Sequence, residues 1–172
     1  LAVFPIKVST IPSMDELIKS GSIDEFREID VDKLLGRDSV APDFELLICS
    51  LKDKSVCVTG AGGSIGSKLA HQALLSGARV IVLYDQSEFA LYSIERELLM
   101  VAQESSFDVK IVPIIGSVQD FDRVLLTLTR FAVQTIYHAA AYKHVPLVEV
   151  NVLQGLENNA LGALNVGKAA AI

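Results

Sequence analysis

From residue 55 to the end of the chain, short apolar runs alternate with longer segments whose apolar positions recur about every 3.6 residues. The short runs predict strands at residues 55–58, 79–84, 109–115 and 135–139. The longer segments predict helices at residues 64–76, 87–103, 120–131 and 153–171. Strands and helices that alternate in this way predict an α/β fold with a parallel sheet and helices on both of its faces.

Residues 1–50 lack this alternation. A strand is expected at residues 2–8, although Pro5 confines it to a sheet edge. Ser13 and Glu16 form a capping box that predicts a helix at residues 14–19, and residues 44–48 are typical of a helix that leads into the core. We therefore predict a lead-in segment at residues 1–50 and a core domain at residues 51–172. The chain begins with Leu1 and stops where a fifth strand is expected, which indicates a piece of a longer polypeptide and the first half of a doubly wound sheet.

A glycine-rich turn, TGAGGSIG, lies between the first predicted strand and the first predicted helix. In this pattern Gly60 lets the chain leave the strand sharply, Gly63 lets the backbone approach a diphosphate, and Gly66 lets the helix pack closely on the strand. The free N–H groups at the start of the helix, near Ser64 and Ile65, would hold the phosphates. The turn therefore predicts a Rossmann-type nucleotide site.

An acidic residue follows at the distance that such a site requires. Asp85 ends the second predicted strand nineteen residues beyond Gly66, close to the roughly 20 residues expected for the acid that binds the adenosine ribose. A carboxylate there repels a 2′-phosphate, and the neighbouring Gln86 and Ser87 offer no compensating arginine. The prediction is therefore NAD rather than NADP. The alternative is an ordinary glycine turn with a solvated Asp85.

Small residues follow the third and fourth predicted strands. Ser117 and Val118 suit a contact with the adenine ring, although an ordinary turn is an equal alternative. Ala139, Ala140 and Ala141 leave room for a cofactor to lie against the backbone. Because the carboxyl ends of parallel strands meet at one edge of the sheet, we expect both groups of residues at the cofactor site.

Polar side chains then gather after the fourth predicted strand. Tyr142, Lys143 and His144 combine an aromatic ring, a cation and an imidazole, which suits an anionic or hydroxyl-rich substrate. The alternative is that Lys143 and His144 are solvated loop residues. His138 is interpreted as a hydrogen-bonded structural group rather than as a catalyst.

Two asparagines in the last predicted helix also require an explanation. Asn159 and Asn165 have low helix propensity in mid-helix positions. We predict that their side chains bridge to the neighbouring strand ends.

Composition excludes several functions. The net charge of −6, the pI near 5.0 and the lack of a Lys/Arg cluster argue against a nucleic-acid surface. Cys49 and Cys57 are the only cysteines, and no histidine lies at ligand spacing, so we expect no disulfide and no metal site. This cysteine usage favours a reducing, cytoplasmic setting. No apolar run approaches about 18 residues, so no membrane contact is expected from this segment. Apolar helix faces indicate a homo-oligomer, although a truncated sheet also exposes such faces.

These motifs resemble those of the extended short-chain dehydrogenases/reductases, and more narrowly those of the nucleotide-sugar 4,6-dehydratases of polysaccharide biosynthesis. The similar stretches are the glycine turn, SEFALY at residues 87–92, AAAYKHVP at residues 139–146, and residues 159–166. Residues 29–38 resemble the segment that precedes the catalytic domain in long, membrane-anchored members. The SEFALY and AAAYKHVP stretches are far more specific than the glycine turn.

The resemblance implies an NAD-dependent lyase for surface polysaccharide or glycan biosynthesis, acting on UDP-N-acetylglucosamine or a similar UDP-linked amino sugar. It implies a cytoplasmic catalytic domain of an inner-membrane protein. Lys143 and His144 would lie on the substrate side, and Asn159 would support the site from behind. At the predicted adenine contact, Ser117 departs from the aspartate that is common in the family.

The resemblance places the acid and base residues of the reaction beyond residue 172. We therefore assign no catalytic residue in this chain and expect the segment alone to be inactive. Two alternatives stay open: a UDP-sugar 4-epimerase of the same superfamily, and a non-catalytic nucleotide-binding domain.

Overall fold

The computed structural model describes residues 9–10, 27–28 and 44–172. The chain divides into two compact units, residues 1–42 and residues 43–172. In the first unit, β1 (Ser9–Thr10) pairs antiparallel with β2 (Arg27–Glu28). The strand predicted at residues 2–8 and the helix predicted at residues 14–19 lie outside the described residues.

The second unit contains a sheet of four parallel strands in the order β5-β4-β3-β6. The strands are β3 (Ser55–Thr59), β4 (Val80–Asp85), β5 (Lys110–Ile115) and β6 (Thr135–His138). This is the strand order of the first half of a Rossmann sheet. The fold class predicted from the sequence is therefore confirmed.

Helices connect and follow these strands. They are α1 (Phe44–Leu51), α2 (Ser64–Leu75), α3 (Glu88–Glu104), α4 (Phe121–Arg130), α5 (Val145–Val150), α6 (Val152–Leu156) and α7 (Gly162–Ala170). A π-helical turn, Glu157–Leu161, joins α6 to α7. No helix in the part of the chain that the structure describes is long and apolar enough to cross a membrane.

The helix starts follow the capping residues. The side chain of Ser87 accepts a hydrogen bond from the N–H of Ala90, and the side chain of Asp120 accepts one from the N–H of Arg123. These bonds satisfy N–H groups that have no acceptor inside the helix. They fix the starts of α3 and α4 within a residue of the predicted positions.

Two features of the last third of the chain were not predicted. Helix α5 has Pro146 in its first turn, and it lies between the fourth predicted strand and the last predicted helix, where no element was predicted. The helix predicted at residues 153–171 is present, but it contains the π-helical turn. The contacts that accompany this turn are made by side-chain amides, and a hydropathy pattern does not reveal them.

The central strands are buried on both faces, and alternate residues face different helices. One face packs against α2 and α3 through Val56, Val58, Ile81 and Leu83. The other packs against α4 and α7 through Cys57, Val82 and Tyr84. Burial raises the pKa of the Cys57 thiol to about 12, as expected for a cysteine that serves as a small apolar side chain.

Candidate cofactor and substrate site

The glycine turn connects β3 to α2 at the carboxyl edge of the sheet. Gly60 has a φ of +63°, and a Cβ at this residue would lie 2.7 Å from the main chain of Ala140. A Cβ at Gly66 would collide with the carbonyl oxygen of Gly60. Both positions require glycine, and together they bring the first turn of α2 against the ends of β3 and β6.

Some N–H groups of the turn are already hydrogen-bonded. Gly63 N–H donates to the carbonyl oxygen of Gly60 at 3.0 Å, and Gly62 N–H donates to the Asp85 carboxylate at 2.9 Å. Helix α2 then begins at Ser64 with no side-chain cap from the described residues and no acidic residue in its first turn. The N–H groups of Ser64 and Ile65 therefore have no acceptor within the helix. Their partial positive charge can hold an anion.

The Asp85 side chain contacts the glycine turn and is held from two directions. Its Oδ2 accepts the Gly62 N–H, and its Oδ1 accepts the Ser87 N–H, each at 2.9 Å. The residue is half-buried. An ionised carboxylate has about four acceptor positions, so each oxygen keeps a free lone pair for a ligand hydroxyl. The side chain is thus directed towards the glycine turn.

A cavity of about 300 Å³ lies at this edge of the sheet, and we call it the first cavity. It brings together many residues predicted for the cofactor. These are Gly60, Gly63, Asp85, Gln86, Ser87, Ser117, Val118, Ala139, Ala140, Ala141 and, from the predicted substrate group, Tyr142. Sequence reasoning missed the cavity-lining Gly62 and Asn158.

A second cavity, of about 450 Å³, lies at the start of α2. Its predicted lining residues are Gly63, Ser64, Ile65, Gly66, Ala139, Ala141, Tyr142, Lys143 and His144. Helices α5 and α6 and the residue between them add Leu147, Val148, Asn151 and Gln154, which were not predicted. Gly63, Ala139, Ala141 and Tyr142 line both cavities, so the two cavities are neighbours.

The predicted asparagine bridges are confirmed. Asn159 Oδ1 accepts the N–H of Tyr142 at 2.8 Å, and its Nδ2 donates to the carbonyl oxygen of Tyr142 at 2.9 Å. Asn165 Nδ2 donates to the carbonyl oxygens of Val118 and Gln119 at 3.2 and 2.9 Å. Asn159 is not among the lining residues of either cavity; it holds the loop after β6 in place.

Asn158 has a different environment. It is buried, it lines the first cavity, and its Nδ2 donates to Asn159 Oδ1 at 3.0 Å. A signal for this residue was present in the sequence, because an Asn-Asn pair in mid-helix is unfavourable by propensity. Only the fold shows which asparagine reaches the cavity.

His138 is hydrogen-bonded, as the sequence suggested. Its Nδ1 lies 2.7 Å from Thr59 Oγ1, and the two residues are paired in the register of β3 and β6. Desolvation lowers the pKa of His138 below 6.5. The neutral imidazole therefore joins the ends of these two strands below the glycine turn.

Tyr84 fixes the turn after β5 and was not predicted as a site residue. Its hydroxyl donates to the carbonyl oxygen of Ser117 at 2.9 Å. Burial, followed by the negative charge of Asp120, raises the pKa of Tyr84 to about 12. The phenol consequently stays protonated and remains a donor, which holds residues 116–118 at the edge of the first cavity.

Comparison with known proteins places this geometry in a family. A model of a family described as polysaccharide biosynthesis proteins matches residues 56–172. The chain belongs to this family. The resemblance inferred from the motifs is thus confirmed.

Two curated relatives are informative. The capsular polysaccharide biosynthesis protein CapD of Staphylococcus aureus is 35% identical over 166 residues, which cover 96% of this chain and 27% of CapD. A UDP-N-acetylglucosamine 4,6-dehydratase (inverting) of Campylobacter jejuni is 33% identical over 114 residues, which cover 66% of this chain and 31% of the dehydratase. The chain thus spans about 30% of the length of these relatives.

A solved structure has the same fold. The UDP-glucose 4-epimerase of Stenotrophomonas maltophila, solved with bound NAD and a formylated UDP-arabinopyranose, superimposes with a TM-score of 0.57. The sequences are 22% identical, and the match covers 69% of this chain and 34% of the epimerase. Because the sequences are only 22% identical, this similarity is evidence for a shared fold alone.

Proposed function

We propose that this chain forms the NAD-binding part of a nucleotide-sugar 4,6-dehydratase that acts on a UDP-linked amino sugar. The observation that carries the proposal is the Asp85 carboxylate, which the N–H groups of Gly62 and Ser87 fix against the glycine turn that leads into α2. The similarity to a UDP-N-acetylglucosamine 4,6-dehydratase supports the reaction class. The NAD bound by an epimerase of the same fold supports the cofactor.

The residues of the first cavity suit the adenosine half of NAD. Asp85 would accept hydrogen bonds from the ribose hydroxyls, and the turn at Ser117 and Val118 would contact the adenine. The N–H groups of Ser64 and Ile65 would bind the diphosphate. Because a second negative charge beside the Asp85 carboxylate is unfavourable, NAD is preferred over NADP.

The second cavity suits the sugar nucleotide. Lys143 Nζ donates to Ser64 Oγ at 3.2 Å, so its positive charge lies near the start of α2. Lys143 and His144 provide hydrogen-bond donors for phosphate and hydroxyl groups. Ile65 and Leu147 form an apolar part of the cavity wall. A UDP-linked amino sugar presents both kinds of surface.

In a 4,6-dehydratase, bound NAD supplies a hydride acceptor for sugar C4 and, later, a hydride donor for C6. The residues of this chain would hold C4 and then C6 beside the nicotinamide, which is a positioning role. The 4-ketone makes the C5 proton acidic, and the C6 hydroxyl leaves as water. Because the hydride removed from C4 would return to C6, the cofactor would undergo no net redox change. We place this domain in the cytoplasm as part of an inner-membrane protein of surface polysaccharide synthesis.

The test incubates the full-length protein with UDP-N-acetylglucosamine and analyses the sugar by mass spectrometry and by proton NMR, which reports the configuration at C4. The proposal predicts a product lighter by one water and no accumulation of NADH. Unaltered sugar with NAD-loaded protein would refute this substrate. A product of unchanged mass with inverted C4 would instead identify a 4-epimerase, and NAD binding without any turnover of UDP-sugars would favour a non-catalytic nucleotide-binding domain.

A further inference from the structure

A side-chain hydrogen bond crosses the edge of the sheet at the first cavity. Gln86 Nε2 donates to the hydroxyl oxygen of Tyr142 at 3.3 Å. Gln86 follows β4 and Tyr142 follows β6, and β3 lies between these strands in the sheet. The bond therefore spans the strand whose end carries the glycine turn. Both residues line the first cavity and are exposed.

The main chain beside this bond is held firmly. Asn159 hydrogen-bonds both the N–H and the carbonyl oxygen of Tyr142, and the next residue, Lys143, donates to Ser64 Oγ. The Tyr142 side chain thus extends from a fixed backbone, while its bond to Gln86 is exposed to solvent. Because Tyr142 lines both cavities, the side chain lies where they meet.

We propose that Gln86 and Tyr142 form a strap across the dinucleotide cleft, which opens for cofactor exchange and closes over the bound cofactor. The inference rests on the proposed function, because a dinucleotide that extends from Asp85 to Ala139 would pass between this hydrogen bond and the strand ends. A cofactor that regains its hydride in every cycle need not leave between turnovers. A strap can therefore slow exchange without slowing the reaction.

The test measures the rates of NAD⁺ association and dissociation in the full-length protein by stopped-flow fluorescence, with etheno-NAD⁺ as the probe. Tyr142→Phe keeps the ring and removes the hydroxyl, and Gln86→Met keeps the length and removes the amide. Each variant is expected to raise both rate constants by roughly three- to tenfold, the effect of losing one hydrogen bond. The dissociation constant is expected to stay within about twofold, since a bond present with and without ligand cancels in the affinity. Tyr92→Phe, which removes an exposed hydroxyl on α3 outside both cavities, is the matched control.

The double variant should exchange no faster than the faster single variant, because both substitutions remove the same bond. Unchanged rates in Tyr142→Phe would overturn the strap. Faster dissociation with unchanged association would also overturn it, since that pattern indicates a direct contact with the cofactor. If the unmodified protein binds no NAD⁺, the proposed function fails and the strap fails with it; if NAD⁺ binds and exchange is unaffected, only the strap fails.

Discussion

Replacing Asp85 with asparagine tests how the chain would hold the adenosine ribose. The carboxylate accepts the N–H groups of Gly62 and Ser87 at 2.9 Å each, one on each oxygen. Asparagine has a single acceptor oxygen, so its amide nitrogen would face one of these two donors. The substitution therefore disturbs the position of the side chain and removes its charge, while the volume stays the same.

The size of the effect follows from the bonds that are lost. A hydrogen bond to a charged group contributes about 1.5–3 kcal/mol, and a ribose hydroxyl on the carboxylate is a bond of this kind. Losing about 2 kcal/mol weakens NAD⁺ binding by roughly 30-fold. The free energy of unfolding should also fall by about 1–2 kcal/mol, because one backbone N–H loses its acceptor.

Isothermal titration of the full-length protein with NAD⁺ measures the first effect, and urea denaturation measures the second. Asp108→Asn is the matched control, because it removes an exposed carboxylate that lies before β5, at the opposite edge of the sheet. Asp85→Arg should weaken NAD⁺ binding and improve tolerance of NADP⁺. If Asp85→Asn binds NAD⁺ as tightly as Asp108→Asn does, the role assigned to this carboxylate is refuted.

Three further substitutions test the scaffold. Gly60→Ala should lower the free energy of unfolding by about 2 kcal/mol or more in urea denaturation. The positive φ of Gly60 disfavours a side chain, and the new Cβ would collide with the main chain of Ala140. A loss below about 0.5 kcal/mol would contradict this geometry. Asn165→Ala should lower the free energy of unfolding by about 1–2 kcal/mol in the same assay, because the hydrogen bonds to the carbonyl oxygens of Val118 and Gln119 are lost. A stability equal to that of the unmodified protein would show that this bridge contributes nothing. The pKa of His138 is lowered in the folded protein, so the unfolded chain binds a proton at this residue more readily. The free energy of unfolding should therefore fall as the pH drops below 6.5. In His138→Gln this part of the acid dependence should be absent, and identical pH profiles would contradict the assignment.

The glycine turn and Asp85 could be predicted because their geometry is encoded locally. Gly60 and Gly66 stand at positions where a Cβ does not fit, and the acid follows at the end of the next strand. In a parallel sheet the ends of adjacent strands meet, so spacing along the chain was enough to bring these groups together. Alternating strands and helices determined the fold class in the same way.

The parts that could not be predicted depend on contacts between distant residues. Nothing in the sequence indicates that the N–H of Gly62 donates a hydrogen bond to Asp85. Asn158 lines the first cavity from within a π-helical turn, and a hydropathy pattern does not reveal such a turn. His71 on α2 is half-buried and lies 3.0 Å from Glu97 on α3, a contact that requires the packing of two helices and that no motif indicates.

The most direct measurement is a crystal structure of the full-length protein with NAD⁺. The account predicts the ribose hydroxyls of the adenosine within hydrogen-bond distance of Asp85, and a diphosphate oxygen within hydrogen-bond distance of the N–H groups of Ser64 and Ile65. A dinucleotide bound elsewhere, or one whose diphosphate lies away from the start of α2, would contradict it.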